Sequence, residues 1–328
     1  MISTDIRKVQ KTGVSTYIVS LPKSWISKNN ISAGDKLTVF EDKNGSLLVN
    51  IYSSEKVINE RNIDIDNLSD SALKRMLLAT YLDGSNRIKL VSKKGFDSEK
   101  REAILQHIKR AIGFEISDET ANTMILQDFF SDDYLSFMKS IRRAFIISKF
   151  MLTDAMKIEP ENQKALESIM NWEEEIDRIT FLVKRETGLA IRNSLILKQL
   201  NISTMECMSY KCLIEQIEGL TDHIVAIAQQ NVLVKDAIPD NVFNEIYAFY
   251  EMTLNYYENA MKCYFKKDFH AANLLIDKKD EFVRKKNSIN LDNLEKEILI
   301  PVNIIISNIF SIASHSYNIA EEAIDHAD

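Results

Sequence analysis

The stretch IEGLTDHIVAIA, residues 217–228, decides how the C-terminal part of the chain reads. Most of its residues belong in the core of a helix bundle, yet it carries Glu218, Asp222 and His223. Glu218 and Asp222 are one helical turn apart, so both carboxylates lie on one face, where like charges repel. A second stretch, IFSIASHSYNIA at 309–320, repeats the frame. Ile217 and Ile309, His223 and His315, and the Ile-Ala pairs at 227–228 and 319–320 coincide, while Phe310 and Ser314 stand where the acids were.

Outward from these stretches the pattern is helical almost without interruption beyond residue 130. Tyr134, Phe137, Met138, Ile141, Phe145 and Leu152 recur at three- and four-residue steps, the stripe of a helix facing a core. Pro160, Pro239 and Pro301 are each read as marking the start of a new helix, where proline is tolerated best. About six long helices follow, in two groups of three related by an internal duplication. In the helix before the opening stretch, NWEEEIDRI repeats the acid spacing with Glu173 and Asp177. Packed as antiparallel neighbours, the two helices would bring four carboxylates to one patch. Such hard oxygen ligands suit Mg²⁺, Mn²⁺ or iron, and a di- or trivalent ion would relieve the repulsion. His223 points to a different face and reads as a supporting or core residue. In the second copy, DKKDEFVRK keeps Asp280 but has Arg284 in the place of Asp177, so a single acid cluster is expected. Two readings stay open: a shared packing frame with ligands retained in one copy, or a frame that is purely structural in both, with Glu218 and Asp222 solvated.

Bulk composition narrows the class. At 328 residues the chain is long for one hydrophobic core. A net charge of -7 argues against a protein that coats nucleic acid over its whole surface, though not against a local basic patch. Cys207, Cys212 and Cys263 form no metal pattern and read as reduced thiols of a cytoplasmic protein. The N-terminus has no apolar core of a signal peptide, and the run ILIPVNIIISNIF is too short and too interrupted to span a membrane. No nucleophile triad, glycine-rich phosphate loop or zinc-protease spacing is present, so neither an enzyme nor an organic cofactor is expected.

The first 53 residues differ in kind. STYIVSLP and KLTVFED alternate like strands, KNG at 43–45 signals a hairpin, and three of the eight glycines fall here. Up to residue 29, Arg7, Lys8, Lys11, Lys23 and Lys28 stand against Asp5 alone, reversing the sign of the chain. Residues 54–128 mix both periods. Ser69 caps a helix through Leu82, RIKLVS is a strand, Ser98 caps a helix through Ile112, and FEIS and TMILQ form a last pair of strands, a small α/β unit.

Two resemblances arise from these motifs. IEGLTDHIVAIA and EEEIDRI resemble the signature helices of the PhoU family, over about residues 130–328. This implies a metal patch of Glu173, Asp177, Glu218 and Asp222, with His223 in support. It also implies a role in phosphate signalling through a phosphate ABC transporter ATPase or another signalling protein. The segment DIRKVQKTGVSTYIVSLPKSWISKNNISAGDKLTVFED resembles the AbrB/SpoVT/MazE swapped-hairpin domain. That implies a homodimer with Arg7, Lys8, Lys11 and, in second place, Lys23 set against DNA phosphates. Trp25 is expected to close the small dimer core. The expected fold is mainly α, an archaeal-type fusion. A swapped-hairpin β-barrel (1–53) is followed by an α/β connector (54–128) and a PhoU-like six-helix domain of two three-helix bundles (129–328). The expected function is a dimeric phosphate-responsive transcription regulator. The alternative is an adaptor that restrains a phosphate transporter by contact and binds no DNA.

Overall fold

A computed structural model describes residues 5–41, 45–51, 58–129, 137–292 and 294–325. Lys43 and Asn44 of the hairpin signal and Tyr134 of the helical stripe lie outside them. The chain divides into two compact units, Met1–Val57 and Ile58–Asp328.

In the first unit β1 (Gln10–Thr12) and β2 (Thr16–Ile18) pair as an antiparallel hairpin. Gly13 takes a φ of +69° at its bend, a conformation glycine adopts without steric cost. Then come α1 (Lys23–Lys28) and a second hairpin of β3 (Leu37–Glu41) and β4 (Leu47–Ile51). A single chain does not close these strands into a barrel, and none of its described residues up to Ile51 is buried. Ile6 is 93% exposed and Val14 92%, with Val9, Tyr17 and Val19 also open to solvent. Trp25 is half-buried.

The second unit begins with β5 (Glu60–Asp64), α2 (Asp70–Leu82), β6 (Arg87–Val91), α3 (Ser98–Ile108), β7 (Phe114–Glu119) and β8 (Thr123–Asp128). The sheet order is β5-β6-β8-β7, with β5 parallel to β6 and the other pairs antiparallel. Ser69 caps α2 by accepting from the Ala72 amide. For α3 the cap is Asp97 rather than Ser98, because its carboxylate accepts from the Lys100 amide, and the helix stops at Ile108 rather than Ile112. Leu77, Tyr81, Ile88, Leu90, Ile104 and Leu126 fill the core of this part.

The helical part comprises α4 (Phe137–Asp154), α5 (Gln163–Arg192), the short α6 (Ser194–Gln199), α7 (Thr204–Val234), α8 (Asp240–Lys266), α9 (Phe269–Ile276), α10 (Lys279–Ser288) and α11 (Lys296–Asp325). Ser203 and Glu206 start α7 with a reciprocal capping box. The fifth rod of the expected six is broken into α9 and α10. Lys267, left-handed at φ +53°, ends α8, and Asp268 caps a helix of eight residues. Pro239 caps α8, as its position predicts. Pro301 does not open a helix: it sits inside α11, where its missing N–H costs one backbone bond in the second turn. By length and composition α11 would cross a membrane, being longer than the apolar run alone suggests. In the fold, its Ile305, Ile309, Ile312 and Ile319 are fully buried against the bundle.

The two groups of helices share one core, with α7 and α11 packed together at its centre. There the repeat becomes structural. His223 Nδ1 lies 2.6 Å from Asn308 Oδ1, and His315 Nδ1 lies 2.9 Å from Gln216 Oε1. Each histidine reaches the amide seven residues before the other. An amide oxygen only accepts, so both Nδ1 atoms carry the proton. The rings lie 5.5 Å apart, and a Cβ on Gly219 would fall 2.8 Å from His315 Cε1. Glycine at 219 is therefore what lets the second histidine approach.

Candidate acidic patch and basic face

Helices α5 and α7 pack side by side, and the four acids do converge. Glu173, Asp177 and Glu218 are half-buried, while Asp222 is more exposed. Burial pushes the Glu173 carboxyl up to about 7, with Asp177 and Asp222 adding repulsion. Burial likewise raises Asp177, seconded by Asp222, and raises Glu218, seconded by Asp222 and Asp177. Asp222 is raised by burial, with His223 opposing. All four shifts have the sign of carboxylates crowded into one partly dry place.

The patch already receives a cation from outside the helices. Arg110, just beyond α3, places a guanidinium nitrogen 3.6 Å from Asp177 Oδ2 and also opposes the shift at Glu173. Lys184 and Lys74 add positive charge near Asp177. Among the described residues, no three Asp, Glu, His or Cys side chains stand together so as to hold a metal ion. The donor chemistry suits a hard cation, but the carboxylates as arranged do not close into a ligand set. His223 is bound to Asn308 and packed on His315, in the contact between repeats, and it also opposes the rise at Asp222.

The α/β part is anchored beside this patch by Arg185 of α5, which is 4% exposed. Its guanidinium donates to the Tyr81 carbonyl and, at 2.9 Å, to Asp128 Oδ2, and lies over the rings of Tyr81 and Phe114. Neither Arg110 nor Arg185 belongs to a local motif, and each finds its partner far away in sequence. In VKRETGLA, Arg185 stands between Lys184 and Glu186, so nothing local marks it out.

In the second copy no acid cluster forms. Asp280 and Arg284 are exposed on α10, and Phe310 and Ser314 occupy the helix positions of Glu218 and Asp222.

In the N-terminal unit, Arg7, Lys8, Lys11 and Lys23 are all exposed. Lys11 lies on β1 opposite Tyr17, and Lys23 is the first residue of α1. Arg7 pairs with Asp5 at 2.7 Å, an exposed contact that phosphate would readily replace.

Residues 10–57 match the family model described as antidote-toxin recognition MazE, bacterial antitoxin. The structure is also similar to the crystal structure of the phosphate transport system regulatory protein PhoU from Streptococcus pneumoniae. That likeness has a TM-score of 0.39 and 12% identity, and covers 59% of this chain and 98% of that one. No curated protein matches this sequence.

Proposed function

We propose that the chain is a dimeric, phosphate-responsive transcription regulator. Two N-terminal units interleave and present Arg7, Lys8, Lys11 and Lys23 to DNA phosphates. The helical part responds to phosphate status through a metal ion, phosphate or a transporter partner. One observation carries the first half: the described residues up to Ile51 form two hairpins with no buried side chain among them, beside a run of exposed cations. An isolated two-stranded hairpin is marginal in water, and each large apolar side chain that dimerisation buries contributes about 1.5–3 kcal/mol. The similarity to the MazE antitoxin model agrees with such a module. The phosphate half rests on the resemblance of IEGLTDHIVAIA and EEEIDRI to PhoU signature helices.

Within the second unit, the α/β part is tied to α5 through Arg185 and to the acids through Arg110. A change in the bundle would therefore be felt at the end of the unit nearer the DNA module in sequence. Such a signal requires that the effector prefer one arrangement of the bundle over the other.

The test is fluorescence anisotropy of labelled DNA from upstream of phosphate-transport genes, titrated at several salt concentrations. Binding should weaken as salt rises and be lost in Arg7→Ala/Lys8→Ala/Lys11→Ala, since the contacts release counterions. A folded dimer that ignores this DNA would overturn the regulator reading and favour the transporter adaptor.

A further inference from the structure

The groove that holds acids in the first copy is open and aromatic in the second. It is a cavity of about 310 Å³ between α10 and α11, floored by the buried Tyr256 and Phe282 and walled by Phe310 and Tyr317. Phe310 stands at the repeat position of Glu218, and Ser314, on the rim, at that of Asp222. The charge has inverted with the shape. Lys279 lines the cavity with its ammonium 4.2 Å from the Tyr317 ring centre, and Lys286 sits 4.7 Å from that of Phe310. At the rim, Asn318 donates one amide N–H to Gln216 Oε1 at 3.0 Å, which leaves its second N–H and its carbonyl oxygen for a ligand, and Glu321 holds the Tyr317 hydroxyl. The first-copy patch is met by Arg110 of the α/β part, whereas here Lys279, Ser314, Asn318 and Glu321 are exposed to solvent.

We infer that this cavity is a binding site for a nucleoside monophosphate. Aromatic walls select a planar ring, since stacking is available to any base. An amide and a carboxylate at the rim suit the N–H and ring-nitrogen edge of a nucleobase. The ammonium of Lys279 suits one phosphate. The volume lies at the small end of ligand pockets, enough for one nucleotide and too little for two. The cavity lining carries one lysine, Lys279, against one carboxylate, Glu321, which disfavours the higher charge of a triphosphate and sets the class at the monophosphate. The inference is independent of DNA binding and of any metal in the first copy.

The experiment is calorimetric titration of the full chain with AMP, adenosine and inorganic phosphate separately. AMP should bind in a saturable manner at one per chain, adenosine more weakly, and inorganic phosphate not measurably. Lys279→Ala should weaken AMP about tenfold, the order of one charge-assisted hydrogen bond to phosphate, and leave adenosine unchanged. Ser314→Trp, a substitution at an exposed rim position, should fill the cavity and abolish both. Unchanged thermal melting of these two surface variants separates loss of binding from loss of fold. Absence of AMP saturation at millimolar concentration would overturn the assignment. So would AMP binding that both variants leave intact, or inorganic phosphate binding as tightly as AMP.

Discussion

The two halves of the helical part share a frame and differ in what the frame holds. At α7 and α11 they are nearly interchangeable: His223 reaches Asn308, His315 reaches Gln216, and the exchange is reciprocal. One turn away they diverge. The first half gathers Glu173, Asp177, Glu218 and Asp222 and is met by Arg110 of the α/β part. The second carries Phe310, Ser314 and Lys279 around an open cavity. The difference teaches that the histidines belong to the frame common to both copies, whereas the acids belong to one copy alone. Packing constraints act on both copies alike, because α7 and α11 must fit each other. The outer grooves have no such obligation.

The largest expected effect tests whether the first half is the one locked to the α/β part. Arg185→Ala removes a buried cation from the Tyr81 carbonyl, from Asp128 and from two aromatic rings. A loss of about 3–5 kcal/mol is expected, read as a fall in the urea midpoint by circular dichroism. A midpoint that stays in place would mean that the two parts are held by something else. Next in size is Gly219→Ala, whose new methyl would press on His315, at a cost of about 1–3 kcal/mol. The matching residue of the second half is Ser311, half-buried, with its hydroxyl bonded back to the Ser307 carbonyl. Ser311→Ala should stay within about 0.5 kcal/mol of wild type. Equal costs at the two positions would break the claim that only one histidine needs a glycine beneath it.

Much of this frame is legible in the sequence because helical periodicity is a local property. Phe137, Ile141 and Leu152 announce a stripe and are buried as such, and the Ile-Ala and histidine matches announce the duplication. The acid pairs announce a face, and two neighbouring helices then bring the faces together. What escaped depends on distant partners or on a weak local signal. Arg110 looks like any surface cation until the α/β part is laid against α5. The strand ERNID shows only Ile63 to the core and so lacks a clear alternation. Asp97 and Ser98 are both competent caps, and only the backbone settles which side chain meets the Lys100 amide. Pro301 shows the opposite failure, a strong local rule overridden by burial of the rest of α11.

Two smaller effects sharpen the electrostatic side of the comparison. If Arg110 is the resident counter-ion of the acids, Arg110→Ala leaves four crowded carboxylates in search of a cation. Mn²⁺, titrated by calorimetry, should then bind about tenfold more tightly than to wild type, a coupling of about 1.4 kcal/mol. Equal affinities would show that Arg110 does not compete for the patch.

The smallest effect is one of pH, and its sign is opposite in the two halves. Glu173 has its pKa raised in the fold from 4.5 to about 7, so the folded chain holds a proton that the unfolded chain has released between those values. Stability from this group is therefore present below about 4.5 and lost as pH rises towards and through 7. Glu173→Gln should stabilise the protein at pH 8 by about 1 kcal/mol, given screening at a partly exposed site, and change little near pH 4.5. His315 is held below its usual value, first by burial and then by His223. Its contribution is full above about 6.5 and falls away as pH drops below that. Thermal melting across pH 4.5–8 separates the two because the variants change the curve at opposite ends. A Glu173→Gln curve parallel to wild type throughout would mean that neither burial nor the neighbouring acids raise Glu173 in the fold, and the contrast between the copies would then rest on shape alone.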